Sequence, residues 1–299
     1  MEKKKIKALA LGAVLWDVIN DIEYIGGAPF NFAVNMQKLG AESALLTSVG
    51  NDDRGNRALE RITGYGLDKK FVQRNKNCPT GVAMATVGAN GDAVYDIPYA
   101  SFDEIIFGSE TERLIREFSP DVIYFGSFEQ RNEITRKTFR DILEKNFSDH
   151  VFFDVNIRMN FIDKEVLTFG FEKSDIVKLN EEEGLIVSEL LYGKKLDMSE
   201  FARRLSENFN ILCVIITLGE KGCYAFCMGE EYFADPIPVS AADTIGAGDA
   251  FSGAFLYAYL SGCDIDVSLN RGNVLGAFVA SKRGALPELG IDILNKIKR

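Results

Sequence analysis

The chain has 299 residues, 46% hydrophobic and 26% charged, enough to bury a large core. Its formal charge of −10 argues against nucleic-acid binding through a broad basic surface. A small phosphate ligand is not excluded, because backbone amides can handle phosphates locally.

Read from the N-terminus, an apolar run over 6–14 ends in Trp16-Asp17. It is too short for a signal peptide or a membrane span, and no other run approaches about 18 residues, so no membrane role is expected. Short apolar runs at 8–14, 44–49, 122–125, 151–155, 176–179 and 212–218 read as buried strands. Helical patterns alternate with them at 30–39, 55–65, 111–118, 133–146, 198–208, 250–261 and 269–282. This alternation predicts an α/β fold with a mainly parallel central sheet between two helix layers. Ligands of such sheets bind beyond the carboxyl ends of the strands. Asp17, Asn156, Asn180 and Gly219 each follow an expected strand, so they should converge on one edge.

Two stretches break the alternation. Residues 16–24 are short and mixed, and 81–87 and 93–98 alternate in polarity around Asn90-Gly91, a strong hairpin signal. The expectation is one domain over 1–299, with a small β lid formed near 16–25 and 82–103. The alternative is that the hairpin merely extends the main sheet.

The five cysteines, Cys78, Cys213, Cys223, Cys227 and Cys263, form no Cys-x-x-Cys pair. All five read as reduced, in a cytoplasmic protein without structural zinc. His150 is the only histidine, which rules out a multi-histidine metal site; it reads as a loop residue, so a carboxylate is the expected general base.

The densest signal is Asp243-Thr244-Ile245-Gly246-Ala247-Gly248-Asp249-Ala250-Phe251-Ser252-Gly253. Three small residues precede a carboxylate at the start of a helical run. Small residues let backbone N–H groups approach a ligand, and a helix N-terminus favours negative charge. An anion held there would put Asp249 beside the group that attacks it, as phosphoryl transfer to a hydroxyl requires. The bland reading makes Asp249 a helix cap. Near the N-terminus stands Gly26-Gly27-Ala28-Pro29-Phe30-Asn31-Phe32-Ala33, followed by Gly40 and Gly50. Asp17 and Asn31 beside an exposed backbone suit recognition of vicinal hydroxyls.

Together these two segments resemble the signatures of the ribokinase-like (PfkB) carbohydrate kinase family. Ordered landmarks agree with it: Gly50-Asn51-Asp52-Asp53-Arg54-Gly55, Pro79-Thr80-Gly81, Asp154-Val155-Asn156-Ile157-Arg158, Asn180-Glu181-Glu182-Glu183 and Thr217-Leu218-Gly219-Glu220-Lys221-Gly222. The resemblance covers nearly the whole chain. It implies a three-layer α/β/α sandwich with a β lid and ATP-dependent phosphorylation of a sugar hydroxymethyl group. By the same resemblance Asp249 is the base, and the amides of Gly246, Ala247 and Gly248 form the anion hole. Asp17, Gly27 and Asn31 contact the sugar. Asn180 and Glu183 order Mg²⁺ through its waters, and Thr217, Gly219, Gly222 and Asn273 serve the nucleotide, with Gly248. Arg158 is a candidate for stabilising phosphate charge, unless it only pairs with Asp154. Glu183 could instead belong to a solvated acidic face.

Ala28 stands where ribokinases carry Lys, and the Gly-Gly-Ala-Pro-x-Asn string looks most like fructokinases. The lid candidates at 19–25 and 93–103 carry no basic residue and are acidic, which favours a neutral hexose, D-fructose, over a sugar phosphate. Rivals within the family are 2-keto-3-deoxygluconate kinase and nucleoside kinases; the rival of another class is a sugar-binding regulator without turnover. Ala13 replaces a Glu common in fructokinases, so a carboxylate contact is expected to be lost. A K⁺ site through Asp243 and carbonyls near Gly284 is implied by the family, but Glu288 departs from its pattern. The resemblance also implies a homodimer through the lid, to which the apolar residues at 22–25 would contribute.

Overall fold

A computed structural model describes residues 5–19, 22–87 and 93–298. Thirteen strands are present among them: β1 (Lys7–Leu11), β2 (Leu15–Ile19), β3 (Ile22–Gly26), β4 (Glu42–Gly50), β5 (Val72–Asn75), β6 (Gly81–Val87), β7 (Ala93–Asp96), β8 (Val122–Gly126), β9 (His150–Asp154), β10 (Ile176–Asn180), β11 (Cys213–Thr217), β12 (Cys223–Cys227) and β13 (Glu230–Ala234). Nine of these form one sheet in the order β13-β12-β11-β10-β9-β8-β1-β4-β5. From β5 to β11 every neighbour pair is parallel, and β12 and β13 add an antiparallel edge. The helices are α1 (Ala28–Leu39), α2 (Asp53–Gly64), α3 (Ser109–Phe118), α4 (Glu133–Leu143), α5 (Lys164–Glu172), α6 (Glu181–Tyr192), α7 (Met198–Phe209), α8 (Ala247–Leu260), α9 (Ile265–Ala280) and α10 (Ile291–Lys298).

Strand alternation makes the layers. Ala8, Ala10, Tyr124, Phe152 and Ile215 face one side and pack with Phe32, Ala58, Phe251 and Leu269 of α1, α2, α8 and α9. Their neighbours Leu9, Leu11, Phe125, Phe153 and Val214 face the other side, against Ile115, Phe139, Phe171, Val187 and Phe201 of α3 to α7. A parallel strand buried on both faces has no polar side to show, and these strands therefore read as continuous apolar runs.

The second sheet has four strands in the order β3-β2-β6-β7. The expected hairpin β6–β7 thus joins β2 through β6, not the main sheet, and the lid is a separate layer. The Asn90-Gly91 turn lies outside the described residues. Asp17 sits within β2 of this lid and not beyond a strand of the main sheet, where the sequence reading puts it.

Two further expectations need correction. Cys213 and Cys227 face each other across the β11–β12 ladder and are joined as a disulfide, so the five cysteines are not all free; Cys78, Cys223 and Cys263 are. Helices α5, α6 and α10 were not expected. The first turn of α6 is Glu181-Glu182-Glu183, which reads as a polar stretch until its cap is seen.

The lid returns to the core through 97–103, and one side chain fastens it. Arg131 donates to the carbonyls of Ile97 (2.7 Å) and Pro98 (2.9 Å) and to both oxygens of Asp103 (2.7 Å each). Its guanidinium also lies over the rings of Phe102 and Phe128. Asp103 is fully buried, so removing its partner strands a charge. Arg131→Met is expected to cost about 3–5 kcal/mol in a urea-unfolding series. A loss below about 1 kcal/mol would mean that water reaches Asp103 and the clamp is dispensable.

Candidate active site

A cavity of about 750 Å³ opens at the carboxyl ends of the parallel strands, between the main sheet and the lid. The lid contributes Leu15, Asp17 and Ala83, and the head of α8 contributes Gly246, Gly248 and Asp249. Gly27, Asn31, Arg158, Asn180, Glu183, Thr217 and Gly219 also line it, as the sequence suggested.

Local chemistry positions each group. Gly246 caps α8 in the left-handed region, φ 77°, where a Cβ would lie 2.4 Å from the Ala285 methyl. Glycine is therefore required there. The first turn of a helix leaves N–H groups without intrahelical acceptors, and those of α8 stand at the cavity wall. The Ala247 N–H bonds the Thr244 carbonyl (3.2 Å), and Ala247 itself does not line the cavity. Gly27 opens α1 at φ 108°, against the backbone of Ala13. One turn on, Asn31 Nδ2 donates to Asp249 Oδ2 (2.9 Å), while its own Oδ1 is buried without a partner. Asn31 thus touches Asp249 as well as the space beside it.

Burial and the nearby Asp154 push Asp249 up to about 6, against the Asn31 bond and the charges of Lys178 and Arg158. Burial and the charge of Asp249 likewise push Asp17 up to about 6. Glu183 is buried rather than solvated. Its Oε2 accepts from the Asn180 N–H (2.9 Å), its Oε1 from the Ile157 N–H (2.8 Å), and Asn180 Oδ1 accepts the Glu183 N–H in return. This is a capping box that also ties the loop after β9 to α6. Arg158 is exposed and bonds the Ile157 carbonyl. Asp154 pairs with Lys178 instead.

Besides Ala247, three expected residues lie off the cavity wall. At Gly222, φ is 90° and a Cβ would strike the Ala234 carbonyl at 2.2 Å, so this glycine serves the turn between β11 and β12. Asn273 donates to the carbonyls of Ala234 (3.2 Å) and Asp235 (3.0 Å). Asp243 accepts from the N–H groups of Ile245 and Gly284, which brings together the two segments named for a cation. Exposed Glu288 acts on Lys38, whose ammonium bonds the carbonyls of Leu286 and Pro287.

Two functional groups escaped the sequence reading. Glu129 is buried in the cavity wall; Oε1 accepts from the Ala13 N–H (3.4 Å) and Oε2 has no partner. A carboxylate thus reaches the backbone of Ala13 from the loop after β8. Burial pushes Glu129 up to about 7. Its position just past a strand end was the available signal. The other is Lys178, a charge inside the apolar run 176–179, out of pattern for a strand buried on both faces.

Glycine-rich amides at a helix head, a buried carboxylate beside them and a lid carrying hydroxyl acceptors suit transfer of a phosphoryl group to an alcohol. The sequence profile described as pfkB family carbohydrate kinase matches residues 18–289. The chain belongs to this family. Probable fructokinase-4 of Arabidopsis thaliana is 26% identical over 293 residues, covering 93% of this chain and 88% of that one. The ATP-dependent 6-phosphofructokinase of Thermoanaerobacterium thermosaccharolyticum is 26% identical, covering 96% and 92%. Among solved structures, a fructokinase with bound ATP from Xylella fastidiosa superposes with a TM-score of 0.85 at 20% identity, covering 98% of both chains. The pfkB fold is a ribokinase-like sandwich with its lid, and the protein is an ATP-dependent carbohydrate kinase. No helix among the described residues is long and apolar enough to cross a membrane.

The raised Asp249 carboxyl has a consequence for this kinase's stability. Its folded value, about 6, exceeds the ordinary 3.8, so the stability carried by the protonated form is complete below 3.8 and lost as pH rises through 6. Asp249→Asn removes that loss. Relative to the parent, the variant should gain stability between pH 4 and pH 8, by up to about 3 kcal/mol. Denaturant titrations at both pH values measure it; a gap that does not change with pH would show that Asp249 ionises like an exposed carboxylate.

Proposed function

We propose that this kinase phosphorylates the hydroxymethyl group of a neutral sugar, D-fructose giving fructose 6-phosphate, in the cytoplasm. The observation that carries the reading is the buried Asp249 carboxylate at the head of α8, held by Asn31 and facing the cavity. The sugar oxygen forms a bond to the γ-phosphorus of ATP. The bond to the β,γ-bridging oxygen breaks, its electron pair leaves with ADP, and the hydroxyl proton passes to Asp249. The loose transition state lets that proton leave late, so a base near 6 is strong enough. Gly246 and Gly248 amides, with that of Ala247 once its turn contact yields, would hold the transferring phosphoryl. Thr217 and Gly219 are nucleotide contacts in this reading.

Asp17, Asn31 and the Gly27 backbone suit the sugar hydroxyls. Glu129 adds an acceptor that a hydroxyl can satisfy, since its Oε2 is buried and unpaired. The substrate of the 6-phosphofructokinase relative carries a phosphate, and 2-keto-3-deoxygluconate carries a carboxylate. Against both, the acceptor side of the cavity offers three carboxyl groups and apolar Leu15, Ala83, Ile97 and Phe128. A second anion would meet repulsion there.

Among the described residues no cluster of three or more metal-ligating side chains exists. That donor set fits Mg²⁺ arriving with the nucleotide and keeping its waters, with Asn180 and Glu183 beside them. Bound Mg²⁺ would supply charge neutralisation at the phosphates. Asp243 and the 284 segment are the place for K⁺. Exposed Ile22, Tyr24 and Met84 on the lid support a homodimer.

Asp249→Asn is expected to lower kcat by about 10³-fold or more and to leave fructose affinity within about threefold. In the parent, kcat/KM should rise with pH and level off above about 6, as Asp249 ionises. Coupled ADP release against D-fructose, fructose 6-phosphate, 2-keto-3-deoxygluconate, ribose and adenosine checks the substrate. Preference for an anionic sugar would overturn the neutral-hexose reading; equal ADP release by variant and parent would remove Asp249 as base.

A further inference from the structure

We propose that Lys178 is a further catalytic residue, whose ammonium contacts the phosphoryl group in transfer, and that Asp154 is the residue that positions it. The proposal deepens the kinase reading above and rests on it.

Lys178 and Asp154 are register partners on the parallel strands β10 and β9. Each side chain is buried, at 8% and 1% exposure. The ammonium lies 3.0 Å from both Asp154 oxygens. The same carboxylate accepts from Tyr124 Oη (3.1 Å) and from Ser252 Oγ (3.3 Å), so β8, β9, β10 and α8 all hold it in place. A pair of this kind adds little net stability, because desolvation offsets the attraction. Its placement is therefore the informative feature.

Lys178 shares the face of β10 that looks toward α8, and it lines the cavity. Its Nζ lies 3.1 Å from where a Gly248 Cβ would stand. The ammonium is thus packed beneath the same turn whose amides face the anion. An ammonium has three N–H donors. Among the described residues the two Asp154 oxygens are its only hydrogen-bond acceptors. One buried donor is left over in a cavity wall, beside the anion loop, and a phosphoryl oxygen satisfies it. Arg158, the other cation in the lining, is solvent-exposed and stands at the mouth.

The geometry also explains why two opposite charges are needed. Without Asp154 the ammonium would be free to turn to Asp249 and neutralise the base. Burial works against the charged amine, but Asp154, Glu183 and Asp249 together hold it protonated. During transfer Lys178 keeps its proton. The sugar oxygen bonds the γ-phosphorus, ADP takes the electron pair of the broken bridging bond, and Asp249 takes the hydroxyl proton; Lys178 only stabilises the charge on the moving oxygens.

The test compares the parent with Lys178→Met and with the double variant Lys178→Met/Asp154→Asn, which removes both members of the buried pair together. Calorimetry measures binding of ADP and of β,γ-imido-ATP, and coupled ADP release measures turnover on the preferred sugar. In the double variant kcat should fall about 10²-fold or more with sugar KM within about threefold. Imido-ATP affinity should weaken about tenfold while ADP affinity stays unchanged, a loss confined to the γ-phosphate that a structural role would not produce. Unchanged kcat, or equal losses for ADP and imido-ATP, would overturn the proposal. Absence of turnover by the parent on every sugar would sink the substrate reading alone, because the nucleotide comparison still decides Lys178.

Discussion

One buried electrostatic arrangement governs this molecule: the carboxylates of Asp249 and Asp154 share the space under the head of α8 with the single ammonium of Lys178. Burial and the charge of Asp154 both make ionisation of Asp249 costlier. Lys178 and the N-terminal dipole of α8 offset part of that cost. The balance leaves Asp249 weakly basic, dry and fixed by Asn31. The surrounding fold serves this balance. Three parallel strands and a helix must meet at one point to hold Asp154, and only a sheet covered on both faces brings them there without water.

The lid completes the site from a separate sheet. Asp17 stands on β2, while Asp249 stands on α8, so the two carboxyls are joined only by packing. That packing is secured at two places. Arg131 fastens the returning chain at 97–103, and Glu23 on β3 pairs with Arg54 and Arg57 of α2. Arg131 also follows Glu129 by two residues, on the Phe128–Arg131 turn. The turn that presents a carboxylate to the cavity is therefore the turn that anchors the lid.

Much of this was legible in the sequence because the relevant constraints are local. Parallel strands announce themselves as apolar runs, and Gly246 and Gly27 mark places where the backbone needs positive φ. Gly246, Gly248, Asp249, Asp17 and Asn31, read from sequence as one site, line one cavity. What stayed hidden depends on register and long-range contact. Cys213 and Cys227 are 14 residues apart, and only the hairpin register sets them face to face. Glu183 reads as one of three acidic residues until the N–H groups of Asn180 and Ile157 claim its oxygens. Gly222 and Asn273 fit a nucleotide pattern, yet each is explained by the chain around Ala234. Glu129 reaches the cavity wall from the loop after β8, a placement in space that linear spacing does not reveal.

The same carboxyl groups tie acceptor choice to chemistry. Asp17 is pushed up by burial and then by Asp249, so ionising the base makes the neighbouring group hold its proton more firmly. A protonated Asp17 can donate to a sugar oxygen as well as accept, and a neutral polyol can satisfy both patterns. An anionic acceptor would raise these carboxyls further and disfavour the ionised base. Under the proposed function, selection against charged sugars and preservation of Asp249 as a base are consequences of one arrangement. A lid made apolar at Leu15, Ala83 and Ile97 strengthens it, since excluding water enlarges every one of these interactions.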